Sequence, residues 1–504
     1  MSERTRLGVR ILVAGLMLGA LGDALLREFP WGLNFFLWAA ALAAMAYELS
    51  SWRPETLAGS GRWLLLPLFL FAAAFLWRDS VTLKLLNILA LLVAFSLILF
   101  RAQGGRVKVA GLMEYALGGL IAGINAAFAP FFLLLGDIQW KEVQSDRASG
   151  RSFAVGRGVL LSLPLLLIFG ALLMAADAVF NVIVTDVLRI DFETLIVHSF
   201  VTGFCAWIVA GYLRGVLMGK DRDFAARQAP PHPTLGLIET ATVLALLDLL
   251  FLAFVAVQFR YFFGGAALVQ ATTGLSYAEY ARKGFFELVT VSALSLPLLL
   301  FAHWLLRKDD PRAERVFRVL AGGQLVLLAV IMASAFQRMR LYQREYGLTE
   351  QRLYPTAFMA WLAVVFVWFA LTVLRGHRER FAFGAMVAGF ALVASLQVLS
   401  PDALIVRVNT ARAAEGRRFD AHYATRLSAD AVPDLIAALP QLSPTDRCMA
   451  AGRLLSVWPP ASASDWRTWS YSRARAFALV GKNVKTLQQM ACPVEIQQGV
   501  NSGD

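Results

Sequence analysis

Cysteine and histidine are scarce in this sequence. Its 504 residues include three cysteines and five histidines, and these form neither a CxxC pair nor a Cys/His cluster, which argues against a zinc or iron–sulfur site. Walker loops, HExxH, GxSxG and dinucleotide glycine fingerprints are also missing, which argues against ATPase, protease and dehydrogenase activities. We therefore expect no metal and no cofactor. Whether the chain is an enzyme stays open, and the missing motifs argue against an enzyme.

Charged side chains are scarce too, at 16% of the residues, whereas 58% are hydrophobic. Soluble domains carry about 25% charged residues. Apolar runs of about 20 residues recur before the polar C-terminal part, and each is long enough to cross the ~30 Å hydrocarbon core as a helix. The composition predicts an all-α, polytopic helical membrane bundle, so membrane lipids are its first partners.

The net charge of +12 does not indicate a nucleic-acid partner, because the basic residues lie in short loops between the apolar runs. That distribution is typical of the signal that orients membrane proteins. The runs with the length of a span are 9–26, 31–49, 62–77, 81–100, 158–180, 196–217, 237–258, 285–306, 319–336, 355–374 and 381–399. The composition therefore predicts about eleven spans.

One further apolar run, 109–136, is a poor straight helix, because Pro130 breaks the backbone ladder. We count the lysines and arginines that flank or connect the predicted spans before residue 400. If this run does not cross and the N-terminus is cytoplasmic, 24 of them lie inside and 10 outside; if it crosses, the numbers are 16 and 18. Cytoplasmic loops carry the excess of basic residues. We therefore predict that 109–136 is a re-entrant or interfacial segment and that the C-terminus is extracytoplasmic.

The predicted bundle occupies residues 1–399, and residues 400–504 form a small soluble helical domain. Ser443 is a candidate cap with Pro444 at the first helical position, and a longer helix is predicted from a cap at Ser464. Cys448 and Cys492 are the two cysteines of this domain. An oxidising compartment favours a disulfide between them, and two unpaired core thiols are the alternative.

Two predicted outer loops hold most of the outer positive charge. The first contributes Tyr277, Glu279, Tyr280, Arg282, Lys283 and Glu287. The second contributes Arg338, Arg340, Tyr342, Arg344, Glu345, Tyr346 and Arg352. We predict that the loops meet and bind an anionic small molecule or lipid phosphate, since arginine offers a planar fork to such groups. An interfacial belt of tyrosine and arginine, or plain structural ion pairs, would explain the same residues.

The second outer loop also carries residues that predict where the helices on either side of it end and begin. Gly347 is a natural helix C-cap with Leu348 as the hydrophobic residue after it. Pro355 suits the first turn of the following helix. These signals predict a helix that ends at Gly347 and another that begins near Pro355.

A lone carboxylate, Asp248, lies in the middle of an apolar run. Charged groups at the centre of a bilayer are costly and face the bundle or a wet cavity. The sequence leaves two roles open: a proton or cation site, or a neutral carboxyl hydrogen-bonded to a neighbouring helix.

The second half of the chain carries three long blocks, YFFGG…TGLSYAEYARKGFFELV, MRLYQREYGLTEQRLYP and NTARAAEGRRFDAHYATRLSADAVPDL. They resemble the signature blocks of bacterial multi-pass membrane proteins catalogued as domain-of-unknown-function family 4173, whose sister family is numbered 4153. The resemblance implies a bacterial cytoplasmic (inner) membrane. It implies no activity and no catalytic residues.

Three classes of function remain. An anionic-ligand binding or transport protein fits the many spans, Asp248 and the polar outer loops. A membrane sensor or envelope assembly factor would use the outer domain to meet a protein partner, whose identity is unknown. An enzyme acting on a lipid-linked substrate would use the arginines to hold phosphate.

Overall fold

The computed structural model describes residues 1–51, 62–143, 192–219, 235–273, 284–307, 311–459 and 465–492, together with parts of 158–184. Residues 259–273 are described as helix only. The described residues are helical, apart from turns and a parallel bridge between Leu235 and Leu306. The all-α prediction is confirmed. Tyr277, Glu279, Tyr280, Arg282 and Lys283 lie outside the described residues, as do six of the 23 residues of the predicted span 158–180.

The helices of the bundle are α1 (Glu3–Leu26), α2 (Leu33–Ser51), α3 (Leu65–Trp77), α4 (Val81–Ala102), α5 (Leu112–Phe132), α6 (Phe192–Met218), α7 (Leu237–Thr273), α8 (Phe285–Leu305), α9 (Pro311–Tyr346), α10 (Glu350–Thr372) and α11 (Phe381–Leu399). Short helical segments are Arg62–Leu64, Val107–Val109, Leu133–Asp137, Trp140–Val143, Ala178–Val182, Val373–Arg375 and Arg378–Arg380.

Nine helical segments of the described part are long and apolar enough to cross a membrane. They are Glu3–Leu26, Val81–Ala102, Leu112–Asp137, Glu193–Met218, Leu237–Gln258, Phe285–Leu305, Pro311–Tyr346, Glu350–Arg375 and Arg378–Leu399. Leu33–Leu49 and Leu65–Trp77 are apolar but shorter. The length and the apolar composition of these helices therefore identify the chain as a multi-pass membrane protein.

Close helix packing in the first half of the bundle depends on small residues. In α1, Gly15 and Gly19 face α6, and a Cβ atom added at Gly19 would lie 2.5 Å from the carbonyl oxygen of Thr202. Small residues four apart let two membrane helices approach this closely. A second core joins α7 to α10 and includes Leu244, Leu299, Leu328, Val365 and Phe369.

The bundle has two ends, which we call the domain end and the far end. The helices after α11 share a hydrophobic core of their own, and we call them the C-terminal domain. They pack on the domain end, where Arg467 donates to the carbonyl of Ala24 at 2.8 Å and Ser472 donates to that of Trp77 at 2.8 Å. The far end holds the first turn of α1. There, Arg4 donates to Asp137 at 2.7 Å, and Arg214, near the end of α6, donates to the other oxygen of the same carboxylate at 2.5 Å.

Helix α5 has both of its ends at the far end of the bundle. It begins shortly after α4 ends, and Gln103 lies next to Gly219 at the end of α6. It finishes in the turn Leu133–Asp137, whose Asp137 lies between Arg4 and Arg214. The segment singled out by its charge distribution is therefore one helix whose two ends both lie near this end of the bundle.

The C-terminal domain comprises α12 (Pro401–Ala414), α13 (Ala421–Ala424), α14 (Val432–Ala438), α15 (Pro444–Val457), α16 (Tyr471–Lys482) and α17 (Val484–Met490), with short turns at Ala429–Ala431, Leu439–Gln441 and Trp466–Thr468. Ser443 caps α15 by accepting from the amide of Asp446, which confirms that local prediction. A disulfide joins Cys448 to Cys492, whose Cα atoms are 5.0 Å apart.

The prediction of one long helix from Ser464 is wrong. The described part of that segment is broken at Trp469, because the carbonyl of Trp469 accepts from the amide of Leu33 at 2.9 Å. Ser470 then caps a new helix by accepting from the amide of Arg473. Docking on the α1–α2 turn therefore overrides the helical pattern at this point.

Candidate functional site at the turn between α9 and α10

Helix α9 is longer than a membrane requires. Its 36 residues span about 54 Å at 1.5 Å per residue. Its apolar part ends at Phe336, and the ten residues that follow extend about 15 Å further. Headgroups add only about 5–8 Å on each side of the hydrocarbon core. With Phe336 at the edge of the hydrocarbon core and α9 upright, the turn after Tyr346 would lie beyond the headgroup layer.

The turn itself is built by backbone geometry and by one amide side chain from the C-terminal domain. Gly347 ends α9 with a φ of +81°, a conformation that favours glycine, and this confirms the predicted C-cap. Asn409 of α12 clamps the next residue: its Oδ1 accepts from the amide of Leu348 at 2.8 Å, and its Nδ2 donates to the Leu348 carbonyl at 2.8 Å. The turn and α12 are thus one unit.

The next helix starts earlier than predicted. Helix α10 begins at Glu350 and carries Pro355 inside it, so placing Pro355 in the first turn is wrong. The hydroxyl of Tyr423 accepts from the amide of Glu350 at 2.8 Å. This side chain from the C-terminal domain satisfies a backbone donor that a helix start leaves without a helical partner.

Two arginines bind the last carbonyls of α9. Nη1 of Arg352 donates to the carbonyls of Tyr346 at 2.9 Å and Gly347 at 2.6 Å. Nη2 of Arg412 donates to those of Arg344 and Glu345, each at 2.9 Å. Cations are favourable at the negative end of a helix dipole. Both guanidinium groups are therefore fixed in position by the end of α9.

Arg352, Arg412 and Arg417 together form what we call the arginine cluster. Arg352 stacks over the Tyr342 ring at 4.2 Å and lies 5.8 Å from the Tyr346 ring. Burial, followed by the nearby charge of Arg417, lowers the pKa of Arg412, and Arg352 acts in the same direction. Glu345 lies 3.2 Å from Arg417 and supplies a counter-charge. Positive charge thus accumulates around one turn.

The arginine cluster keeps donors for a ligand. In the described guanidinium groups of Arg352 and Arg412, only Nη1 and Nη2, respectively, donate to the carbonyls of α9. Within the described residues, no hydrogen bond involves the Nε or the other Nη atom of either side chain. Each guanidinium has five N–H donors in a rigid fork. Fixed forks of this kind suit bidentate binding of phosphate or carboxylate.

The other predicted residues are spread along the same surface. Arg338 is buried and donates to Gln258 Oε1 at 2.9 Å, and it approaches Gly284 at the start of α8. The ends of the two predicted loops therefore come together at Arg338. Arg340 and Arg344 are exposed, Arg340 lying 6.0 Å from the Phe336 ring. Glu287, in the first turn of α8, is exposed.

Asp248 faces α9 in the contact between α7 and α9. Its Oδ2 would lie 3.7 Å from a Cβ atom added at Gly323. Its Oδ1 is buried and has no hydrogen-bond partner among the described residues. The neighbouring Gln324 is fully buried, and neither of its amide atoms has a described partner.

A second polar cluster, which we call the junction, joins the C-terminal domain to the bundle. Its centre is Asp430, which is 6% exposed. Oδ2 of Asp430 accepts from the amides of Asp79 at 2.9 Å and Ser80 at 3.1 Å. Oδ1 accepts from Arg78 at 3.3 Å and from Ser472 at 2.5 Å. One carboxylate thus fastens the domain to the start of α4.

The sequence analysis missed Asn409, Arg412 and Arg417, which complete the turn, and Asp430, which anchors the domain. All four residues lie in the third quoted block, so the sequence showed them as part of a polar motif. It did not show which residues they contact. Their partners lie far away in sequence, at Glu345 and Leu348 for the turn and at Arg78 for the junction.

The model of one protein family, described as "Domain of unknown function (DUF4153)", matches residues 65–438. The chain belongs to the DUF4153 family. The matched range of this DUF4153 protein runs from α3 to the last residue of α14, so it includes the arginine cluster and Asp430 but neither Cys448 nor Cys492. The match identifies the sister family of the sequence resemblance; family number 4173 and a bacterial source stay predictions.

No curated protein and no solved structure matches the chain of this DUF4153 protein. The family description assigns no activity. Any function must therefore be argued from the geometry of the sites themselves.

Proposed function

We propose that this DUF4153 protein binds an anionic ligand of the phosphate or carboxylate class at the arginine cluster. The observation that supports this most directly is the fixation of Arg352 and Arg412 by the carbonyls of α9, with their remaining donors uncommitted in the described structure. A ligand then meets forks that are already positioned, which reduces the entropy lost on binding. The ligand is a lipid phosphate or a free anion.

Arg352→Lys and Arg412→Lys test this function in a strain that lacks the native copy. Lysine keeps the charge but loses the planar fork, so we expect loss of complementation with unchanged protein abundance. Arg417→Lys is a third variant, because Arg417 makes no described hydrogen bond to an α9 carbonyl and its replacement leaves the helix end intact. Arg407→Lys is the matched control, since Arg407 is exposed and pairs with Asp434 at 3.8 Å.

Wild-type complementation by all three cluster variants would show that these arginines only stabilise the turn. If Arg352→Lys or Arg412→Lys loses complementation and is also less abundant, the loss could come from misfolding. Arg417→Lys then decides the test. A normal Arg417→Lys would then contradict the binding function.

We also propose the orientation of the protein in a bacterial cytoplasmic membrane. The far end would be cytoplasmic and the C-terminal domain extracytoplasmic. Among the described residues, the far end carries several of the lysines and arginines between helices, including Arg106, Lys108, Arg378 and Arg380, as cytoplasmic loops do. Because both ends of α5 lie at the far end, this orientation treats α5 as a segment that enters the membrane without crossing it.

Cysteine labelling tests the orientation at three exposed positions in a Cys205→Ser background. Lys108→Cys and Gln139→Cys flank α5, and Arg340→Cys lies at the domain end. We expect a membrane-impermeant maleimide to label Arg340→Cys in intact cells and to label the other two only after permeabilisation. Labelling of Lys108→Cys and Gln139→Cys from opposite sides would contradict a non-crossing α5.

A further inference from the structure

Next to Asp430, the junction contains buried polar atoms that have no hydrogen-bond partner in the described part of the chain. Native proteins leave few buried polar groups without a hydrogen bond, so an unpaired one can indicate an ion or a water molecule that binds there. Asp402 is 2% exposed and Ser80 is 1% exposed, so bulk water does not reach them. The unpartnered atoms are Ser80 Oγ, Asn87 Nδ2, Tyr354 OH, Gln397 Oε1, Ser400 Oγ and Asp402 Oδ1.

Contacts place Asp402, Ser80 and Tyr354 in one neighbourhood. Oδ2 of Asp402 accepts from the Ser428 hydroxyl at 2.5 Å, and the same hydroxyl lies 3.2 Å from Asp430. Asp430 in turn accepts from the Ser80 amide at 3.1 Å. The Tyr354 hydroxyl faces the Ser80 side chain, and the charge of Asp402 acts on Tyr354 from close by. The unpartnered oxygens of these three side chains therefore belong to one buried region.

The charges around this region leave Asp402 without a cation. Arg78 pairs with Asp430, whereas Lys84 and Arg473 pair with Asp79. Glu350 accepts from the Thr82 hydroxyl at 3.0 Å. Among the described residues, no lysine, arginine or histidine forms an ion pair with Asp402. A buried ionised carboxylate without a partner is unfavourable.

We propose that Asp402 Oδ1, with the hydroxyls of Ser80 and Tyr354, binds a monovalent alkali cation. Hard cations take oxygen ligands from carboxylates and neutral oxygen groups. One uncompensated carboxylate matches one positive charge. A divalent or transition metal is a poorer fit, since no group of three or more Asp, Glu, His or Cys side chains in the described residues could hold one. This site is separate from the arginine cluster and does not depend on the anion-binding proposal.

The position of the site gives the ion a structural effect. Asp402 lies in the first turn of α12, two residues after Ser400, whose φ of +53° redirects the chain from α11 into the C-terminal domain. A cation bound at Asp402 links this redirected segment to Ser80 of α4 and Tyr354 of α10. It therefore fastens the domain to the bundle beside the Asp430 contacts.

The pH dependence has a defined sign. Burial raises the pKa of Asp402 from 3.8 to about 6, although the Ser428 hydrogen bond opposes the shift. The groups that face Asp402 are Glu350, Tyr354, Tyr423 and Asp430, with Arg78 and Asp79 behind them. Because the folded carboxyl binds its proton more tightly than the unfolded one, stability without the cation falls as pH rises from about 4 to about 6. Na⁺ should suppress that fall.

Thermal unfolding of the full chain in phosphatidylcholine nanodiscs at pH 8 tests the site. The buffers are NaCl, KCl and choline chloride at equal ionic strength. We expect a saturable rise in Tm with Na⁺ and with K⁺ but none with choline, which is too large for a buried site. Asp402→Asn should abolish the response, and Tyr354→Phe should weaken it. Asp434→Asn, which changes a partly exposed carboxylate of the same domain, should keep the wild-type response.

Equal Tm values for the wild type in NaCl and choline chloride would overturn the proposal, and the carboxyl would then be satisfied by a proton or by water. An undiminished Na⁺ response in Asp402→Asn would overturn it as well, because the ion would then bind elsewhere. If Asp402→Asn fails to fold, Ser80→Ala replaces it as the variant expected to lose affinity for Na⁺.

Discussion

Replacing Asp430 with alanine is expected to release the C-terminal domain from the bundle. The change removes the carboxylate partner of Arg78, whose side chain is 14% exposed and keeps only carbonyl acceptors such as that of Gln397. It also leaves two backbone amides without their acceptor. Removing one partner of a buried ion pair costs about 3–5 kcal/mol, and stranded buried donors add to that cost. Limited proteolysis of the nanodisc-embedded protein should show much faster cleavage of the domain, together with a lower Tm.

Asp434→Ala is the matched control for Asp430→Ala. Asp434 belongs to the same domain, but its side chain is 33% exposed and its partner Arg407 is 3.8 Å away. An exposed pair of this kind contributes about 0–1 kcal/mol. Asp430→Asn, which keeps one acceptor oxygen, should fall between the two. Equal proteolysis rates for Asp430→Ala and Asp434→Ala would show that the junction does not hold the domain.

Reduction of the disulfide is expected to destabilise the C-terminal domain by roughly 2–5 kcal/mol. Cys448 in α15 and Cys492 after α17 are 44 residues apart, so the bond closes a long loop of the unfolded chain. The joined segments share the domain core with Leu454 and Leu487. Unfolding of the domain in urea, followed by tryptophan fluorescence, should shift to lower urea in the presence of reductant.

The control for this experiment is Cys205→Ser. Cys205 is the free cysteine of the described residues and lies in α6 against Gly22, so its replacement should leave the effect of reductant unchanged. Cys448→Ser should unfold like the reduced wild type and should not respond to reductant. A reductant effect of the same size in Cys448→Ser would exclude the disulfide as its cause.

Local sequence signals predicted the parts of the fold that local physics determines. The apolar runs predicted the long helices, Ser443 predicted the cap of α15, and Gly347 predicted the end of α9. Each of these features depends on residues within a few positions of one another. The charge distribution singled out the segment of α5, both ends of which lie at the far end.

Features that depend on distant partners could not be read from local patterns. Helix α10 starts before Pro355 because Tyr423 satisfies the amide of Glu350. The last predicted helix breaks at Trp469 because its carbonyl binds Leu33. The arginine cluster also depends on distant partners. Arg352 was predicted as a ligand-binding residue, but the carbonyls at the end of α9 are what fix its guanidinium in position. Arg412 lies in the C-terminal domain, far away in sequence.

The measurement that tests the anion site most directly is titration of inorganic phosphate into the purified protein in phosphatidylcholine nanodiscs, by calorimetry at constant ionic strength. The account predicts saturable binding by the wild type and by Arg407→Lys, and binding at least about tenfold weaker, or 1.4 kcal/mol, in Arg412→Lys and Arg417→Lys. Nanodiscs with added phosphatidic acid separate the sources, because a lipid phosphate in the cluster should block the titration. Absence of saturable binding in both kinds of nanodisc, or equal binding by Arg412→Lys, Arg417→Lys and the wild type, would contradict it.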